Sequence, residues 1–168
     1  ELQHLRFFKE HQIPVHIFRL PGIYGPGRSV LDKLKEKKIV EIFKEGHFFS
    51  RIYVEDIAAA IIKSLNKSTP GEIFNICDDL PTESYKVVRY AAKLMNVKDL
   101  KTVNFDNPKI NPKVKSFYND NKRVKNEKIK KILHWTPKFR NYKLGLKKIY
   151  KSYLNENNSS NITFFKKN

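Results

Sequence analysis

The chain has 168 residues, 40% of them hydrophobic and 30% charged, a balance that suits one folded domain rather than a disordered segment. No apolar run reaches the roughly 18 residues of an ordinary transmembrane helix. A single cysteine, Cys77, excludes an internal disulfide framework and, with no second cysteine nearby, argues against a zinc finger.

Lys and Arg number 34 against 17 Asp and Glu, a net charge of +17. The excess is lopsided. Residues 1–100 hold 16 basic and 13 acidic side chains, net +3, whereas residues 101–168 hold 18 and 4, net +14. A field of that sign attracts phosphates, nucleic acid or anionic lipid. Yet only seven of the 34 are arginine, and the lysines are spread through helices and loops as on solvated helix faces. No set of aromatics on a strand face marks an RNA-reading module. A basic nucleic-acid-associated module therefore stands as an alternative reading, as does a non-catalytic partner subunit. The start, Glu1 to Phe8, is amphipathic and unlike a secretory signal. It begins inside a helical pattern without Met, so upstream residues and a cytoplasmic location are expected.

Leu2, Leu5 and Phe8 share a face, so 1–11 reads as part of an amphipathic helix, stopped by Pro14. Val15 to Leu20 reads as a strand apolar enough for burial on both faces, and 21–28 as a Gly/Pro loop. Ser29 is placed to cap a helix over 30–38. Short extended pieces are expected at 39–43 and 51–54, then a helix from Glu55-Asp56 to about residue 66, with its acids suited to the helix dipole. Pro70-Gly71 is a turn and Glu72 to Ile76 a buried strand. Thr82 is the expected N-cap of the next helix, whose inner face carries Val87, Val88, Ala91 and Ala92. Residues 101–118 read as irregular, with a short strand at Ser116–Tyr118. Asn126 caps a helix at 127–133, Tyr142–Leu154 is a final amphipathic helix, and 155–168 is a flexible tail. Strands alternating with helices indicate an α/β arrangement with parallel pairing. The few long strands suggest part of a larger sheet.

Four blocks in order carry a resemblance. Phe18 to Arg28 (FRLPGIYGPGR), Ser50 to Ala58 (SRIYVEDIA), Gly71 to Asp79 (GEIFNICDD), and Ser116 to Val124 with Asn126 and Leu133 resemble the C-terminal part of extended and atypical short-chain dehydrogenases/reductases, the NAD-dependent epimerase/dehydratase family. Together they span residues 1 to about 150. The resemblance implies the C-terminal portion of a Rossmann-like doubly wound parallel sheet with a small substrate-binding subdomain, over 1–154. It implies NAD or NADP as cofactor and a small-molecule substrate. The Gly-rich pyrophosphate loop and the Tyr-x-x-x-Lys pair of that family would lie in a missing N-terminal half. Tyr118 and Lys122 have the Tyr-x-x-x-Lys spacing, but their surroundings match the terminal block, so no catalytic residue is assigned.

Ligands of open α/β sheets bind beyond the carboxyl ends of strands. By resemblance, the loop of Leu20, Pro21, Gly22 and Ile23 packs against the nicotinamide ring and its backbone bonds the carboxamide, with Gly22 allowing close approach. Arg28 and Arg51 are the candidate substrate-binding residues, because a guanidinium fork suits carboxylate or phosphate. Sugar-nucleotide epimerases carry a phosphate-binding Arg where this chain has Phe49, which weighs against a nucleotide-sugar substrate. Asp56 reads as a helix-start residue and Cys77 as core. Asn121, Lys122 and Arg123 read as anchors of the terminal segment. His4, His11, His16, His47 and His134 lack ligand spacing, and no metal site is assigned.

Overall fold

A computed structural model describes residues 1–67 and 69–165, with side chains as far as Glu156. In chain order the elements are α1 (Leu2–His11), β1 (Ile17–Arg19), β2 (Gly22–Tyr24), α2 (Val30–Lys35), β3 (Glu41–Phe43), β4 (Phe48–Phe49), β5 (Arg51–Tyr53), α3 (Val54–Leu65), β6 (Ile73–Asn75), β7 (Thr82–Glu83), α4 (Ser84–Leu94), β8 (Thr102–Asn104), α5 (Pro112–Ser116), α6 (Glu127–Leu133) and α7 (Tyr142–Phe165). Strands pair in twos. β1 with β6, β2 with β5 and β3 with β8 are parallel, and β4 with β7 is antiparallel. Every parallel pair joins strands distant in sequence, as crossover connections require.

Two apolar clusters hold these layers. One joins α2, α4 and α7 through Leu31, Leu34, Val87, Ala91, Leu146 and Ile149, with Tyr24, Tyr53, Phe139 and Tyr142 at its centre. The other sets Ile52, Phe74 and Ile76 of the strands against Ile129, Leu133 and Trp135. Ser29 begins α2 with a full capping box. Its hydroxyl accepts from the Leu31 and Asp32 N–H groups, and Asp32 Oδ2 accepts from the Ser29 N–H at 2.7 Å. α1 ends on Gln12 in the left-handed region (φ 56°) and buries none of its residues.

The parallel α/β class is present, but several local expectations are corrected. β1 is only half-buried, with Arg19 exposed, rather than covered on both faces. The loop expected over 21–28 contains β2, because Gly22–Tyr24 pair with Arg51–Tyr53. Thr82 does not cap α4. It lies in β7 and donates its hydroxyl to the Leu80 carbonyl at 2.9 Å, and Glu83 precedes the helix. Segment 101–118 holds β8 and α5, and Ser116 ends a helix rather than opening a strand. Asn126 sits before α6 but spends its amide on the Cys77 carbonyl and Asp79 Oδ1 instead of the helix. α7 continues past Leu154 to Phe165, and residues 166–168 of the segment read as a tail lie outside the described residues. No helix among the described residues is long and apolar enough to cross a membrane.

Candidate active-site cleft

The β2–α2 connection, α4 and the first turns of α7 enclose a cleft of about 560 Å³. Its polar lining is Tyr24, Arg28, Ser29, Arg51, Ser84 and Tyr142, with Asp32, Lys33 and Glu36 toward α2, and its apolar lining includes Ile23, Val87, Val88 and Leu146. Two glycines make the arrangement possible. A Cβ at Gly25 would lie 2.6 Å from Val54 Cγ1, so the chain turns there only without a side chain. A Cβ at Gly145 would lie 2.3 Å from the Tyr24 hydroxyl, so α7 approaches the cleft wall only because position 145 is bare.

The structure divides the expected site residues into two groups. Arg28, Arg51 and Ile23 meet in the cleft. Leu20 and Pro21 instead form the bend between β1 and β2, and Gly22 opens β2, with Leu20 41% exposed. The Gly22 N–H is given to the Ser50 carbonyl at 3.3 Å, so it is not among the free donors of the 20–23 segment. A Cβ at Gly22 would meet Ser50 O at 3.6 Å, an ordinary contact, so nothing within the chain demands glycine there.

The two arginines differ in state. Arg28 carries no side-chain hydrogen bond or ion pair to any described residue, so its fork faces the cleft unspent. Arg51 is fixed: Nη1 donates to the Phe49 carbonyl at 2.9 Å and to the Thr82 carbonyl at 2.8 Å. Burial pushes its guanidinium below the usual value and Asp78 pulls it back, yet it remains a cation at any ordinary pH. Neither Glu55 nor Asp56 pairs with it. The two Asp56 oxygens accept the backbone N–H groups of Lys138 (2.7 Å) and Phe139 (3.0 Å), tying α3 to the segment before α7.

Sequence reasoning missed three polar members of this neighbourhood. Tyr24 lines the cleft with a buried hydroxyl that has no partner, and burial raises its pKa. Tyr142 stands edge-on to Tyr90, with centroids 5.6 Å apart. Asp78 is buried behind Arg51, its backbone N–H donating to the Arg51 carbonyl at 2.7 Å. The signal available was position alone: Tyr24 falls inside the Gly/Pro stretch, and Asp78 follows a strand. Phe49 joins an aromatic group, its ring 4.8 Å from His47 and 5.3 Å from Tyr118, with the Arg51 guanidinium 5.9 Å from its centroid. The terminal segment is anchored as expected at Asn121, which accepts from the Phe48 N–H (2.9 Å) and donates to the Gly46 carbonyl (2.9 Å). Arg123 lies over the Phe48 ring at 3.9 Å. The Cys77 thiol is pushed up to about 12 by burial, as befits a core residue.

No protein-family model matches the chain, and neither does any curated protein. Solved structures do. A conserved protein of unknown function from Silicibacter pomeroyi is 43% identical, with a TM-score of 0.79 over 83% of this chain and 50% of its own. A dTDP-glucose 4,6-dehydratase from Bacillus anthracis, solved with NAD, is 24% identical with a TM-score of 0.70, over 92% of this chain and 49% of its own. A UDP-glucose 4-epimerase from Thermotoga maritima, solved with UDP-glucose, is 19% identical with a TM-score of 0.67, over 91% and 51%. The chain thus spans about half the length of the structures it matches.

Proposed function

We propose that this chain, which carries the fold of the C-terminal part of the NAD-dependent epimerases and dehydratases, is the substrate-side portion of an NAD(P)-dependent epimerase, dehydratase or reductase. The observation that carries the reading is the pairing of an unspent Arg28 with a half-buried, anchored Arg51 in one cleft. Two guanidinium groups, one unspent and one held, recognise an anionic group on a small substrate. Ser84 and Tyr142 add hydroxyls for its uncharged polar atoms. Phe49, packed among His47 and Tyr118, supplies no charge, which favours an anion other than a nucleotide sugar.

The exposed bend Leu20-Pro21-Gly22 backs onto the nicotinamide by apolar contact, and Ile23 continues that wall into the cleft. NAD or NADP, when bound, supplies hydride acceptance or donation at nicotinamide C4. The pyrophosphate loop and the tyrosine–lysine pair of the family belong to an N-terminal half, because neither motif occurs in this chain in the family's context. On this reading the 168-residue chain orients substrate and is inactive alone. Titration of the chain with NADH or NADPH, followed by fluorescence and by turnover, tests this. Weak binding and no turnover are expected, and tight dinucleotide binding or turnover by the chain by itself sinks the division of labour. Arg28→Ala is expected to weaken anion binding in the cleft while leaving the fold intact.

A further inference from the structure

We propose that Lys33 is a specificity-determining residue of the cleft, and that the substrate it selects is an organic phosphate monoester, whose phosphate carries two negative charges. This rests on the reading of the cleft as an anion site and narrows its substrate class. Lys33 lies on α2 and lines the cleft together with Arg28 and Arg51. Its ammonium makes no hydrogen bond, ion pair or ring contact with any described residue.

Two acids share the cleft lining with Lys33, and each is already committed elsewhere. Asp32 Oδ2 accepts from the Ser29 N–H at 2.7 Å and from the Ser29 hydroxyl at 2.6 Å, and its Oδ1 accepts from the Tyr153 hydroxyl. Glu36 stands three residues after Lys33, where a helical lysine ordinarily finds its ion-pair partner. It pairs instead with Lys38, Nζ to Oε2 at 3.0 Å. With Glu36 offset by Lys38, the lining sets Arg28, Lys33 and Arg51 against Asp32, an excess of two positive charges. Arg51 spends Nη1 on two backbone carbonyls, which leaves its charge uncancelled. A single carboxylate offsets one charge of that excess. A phosphate monoester near pH 8 offsets both, because its second pKa is about 6. Arg28 and Lys33 flank the start of α2, close enough in the chain for two long side chains to meet one compact group. A dicarboxylate, with its charges held apart, matches that placement less well. The cleft volume of about 560 Å³ exceeds the need of an inorganic ion and suits a small organic molecule. Ile23, Ile39, Val87, Val88 and Leu146 supply a wall for its carbon body.

Methyl phosphate and methyl sulfate are the probes, tetrahedral monoesters of nearly equal size that carry two charges and one at about pH 8. Calorimetric titration of the full chain at that pH and low ionic strength should show methyl phosphate bound roughly tenfold more tightly. Lys33→Gln should bring the two affinities to within roughly twofold of each other, and Lys33→Arg should restore the preference. Arg28→Ala should weaken both, which places the ions in the cleft. Methyl phosphate bound no more tightly than methyl sulfate, a preference that survives Lys33→Gln, or succinate bound more tightly than methyl phosphate overturns this proposal and leaves the anion cleft standing. No binding of any of the three, or binding that Arg28→Ala leaves unchanged, overturns both.

Discussion

Tyr24 occupies the space that any side chain at position 145 would need: a Cβ there would lie 2.3 Å from its hydroxyl oxygen, 2.6 Å from Cε2 and 2.7 Å from Cζ. Gly145 is in α7, where alanine is ordinarily worth about 1 kcal/mol over glycine. Against a rigid, buried ring the clash outweighs that gain. Gly145→Ala is expected to destabilise by about 1–2 kcal/mol in urea unfolding. Tyr24→Phe in the same background removes the hydroxyl and should recover part of the loss. Additive effects of the two substitutions would show that the residues do not meet as described.

Asp78 gives a stability prediction of unusual sign. Its pKa is about 7 in the fold and about 3.9 in an unfolded chain. An acid whose pKa rises on folding favours its neutral form in the fold. Stability is therefore highest below the unfolded value, declines between about pH 4 and pH 7, and levels off above that. Asp78→Asn should remove that decline and make the protein more stable than wild type at about pH 8, by something on the order of 2–4 kcal/mol. Equal or lower stability of the variant at that pH would count against it.

Glu41 is fully buried, and Arg89 grips it with one bidentate fork, Nε to Oε2 at 2.9 Å and Nη2 to Oε1 at 2.8 Å, with Thr102 adding a hydroxyl. This joins β3, α4 and β8. Arg89→Ala leaves the buried carboxylate to Thr102 and to whatever water reaches it past the half-exposed arginine site, and is expected to destabilise the fold. Glu41→Gln keeps an acceptor for Arg89 and should cost less. A reversed order in thermal or denaturant unfolding would contradict the geometry.

Asp56 collects two backbone N–H groups from Lys138 and Phe139. Asp56→Ala leaves both donors buried or forces them to water, and a loss of about 2–4 kcal/mol is expected. Asp56→Asn can replace only part of this, since its amide nitrogen donates. Amide exchange at 138 and 139 should accelerate in both variants. Unchanged protection there would mean that the carboxylate does not hold the segment.

Much of the layout is local and was legible. The helices at Val30–Lys35, Val54–Leu65, Ser84–Leu94 and Glu127–Leu133 follow apolar periodicity, and the first also follows its start signal at Ser29. The strand at Ile73–Asn75 follows from an apolar run between a turn and two acids. The failures share one cause. Gly22–Tyr24 and Phe48–Phe49 are strands because distant segments, Arg51–Tyr53 and Thr82–Glu83, supply their hydrogen bonds. Two or three residues cannot advertise such a pairing by periodicity. Asn126 and Thr82 have the side chains of helix caps, but tertiary partners at Cys77 and Leu80 claim them.

At the site, residue type and order alone marked Arg28 and Arg51, since a fork of donors beside a turn can be read without coordinates. Only the folded chain decided that these two share a cleft with Ile23 while Leu20, Pro21 and Gly22 stay outside, and that Gly22 has already given away its N–H. Composition and local spacing dictate which groups a chain possesses and which helices it favours. Burial, the withdrawal of water from Asp78 and Tyr24, and the choice of hydrogen-bond partner arise when segments far apart in sequence pack together.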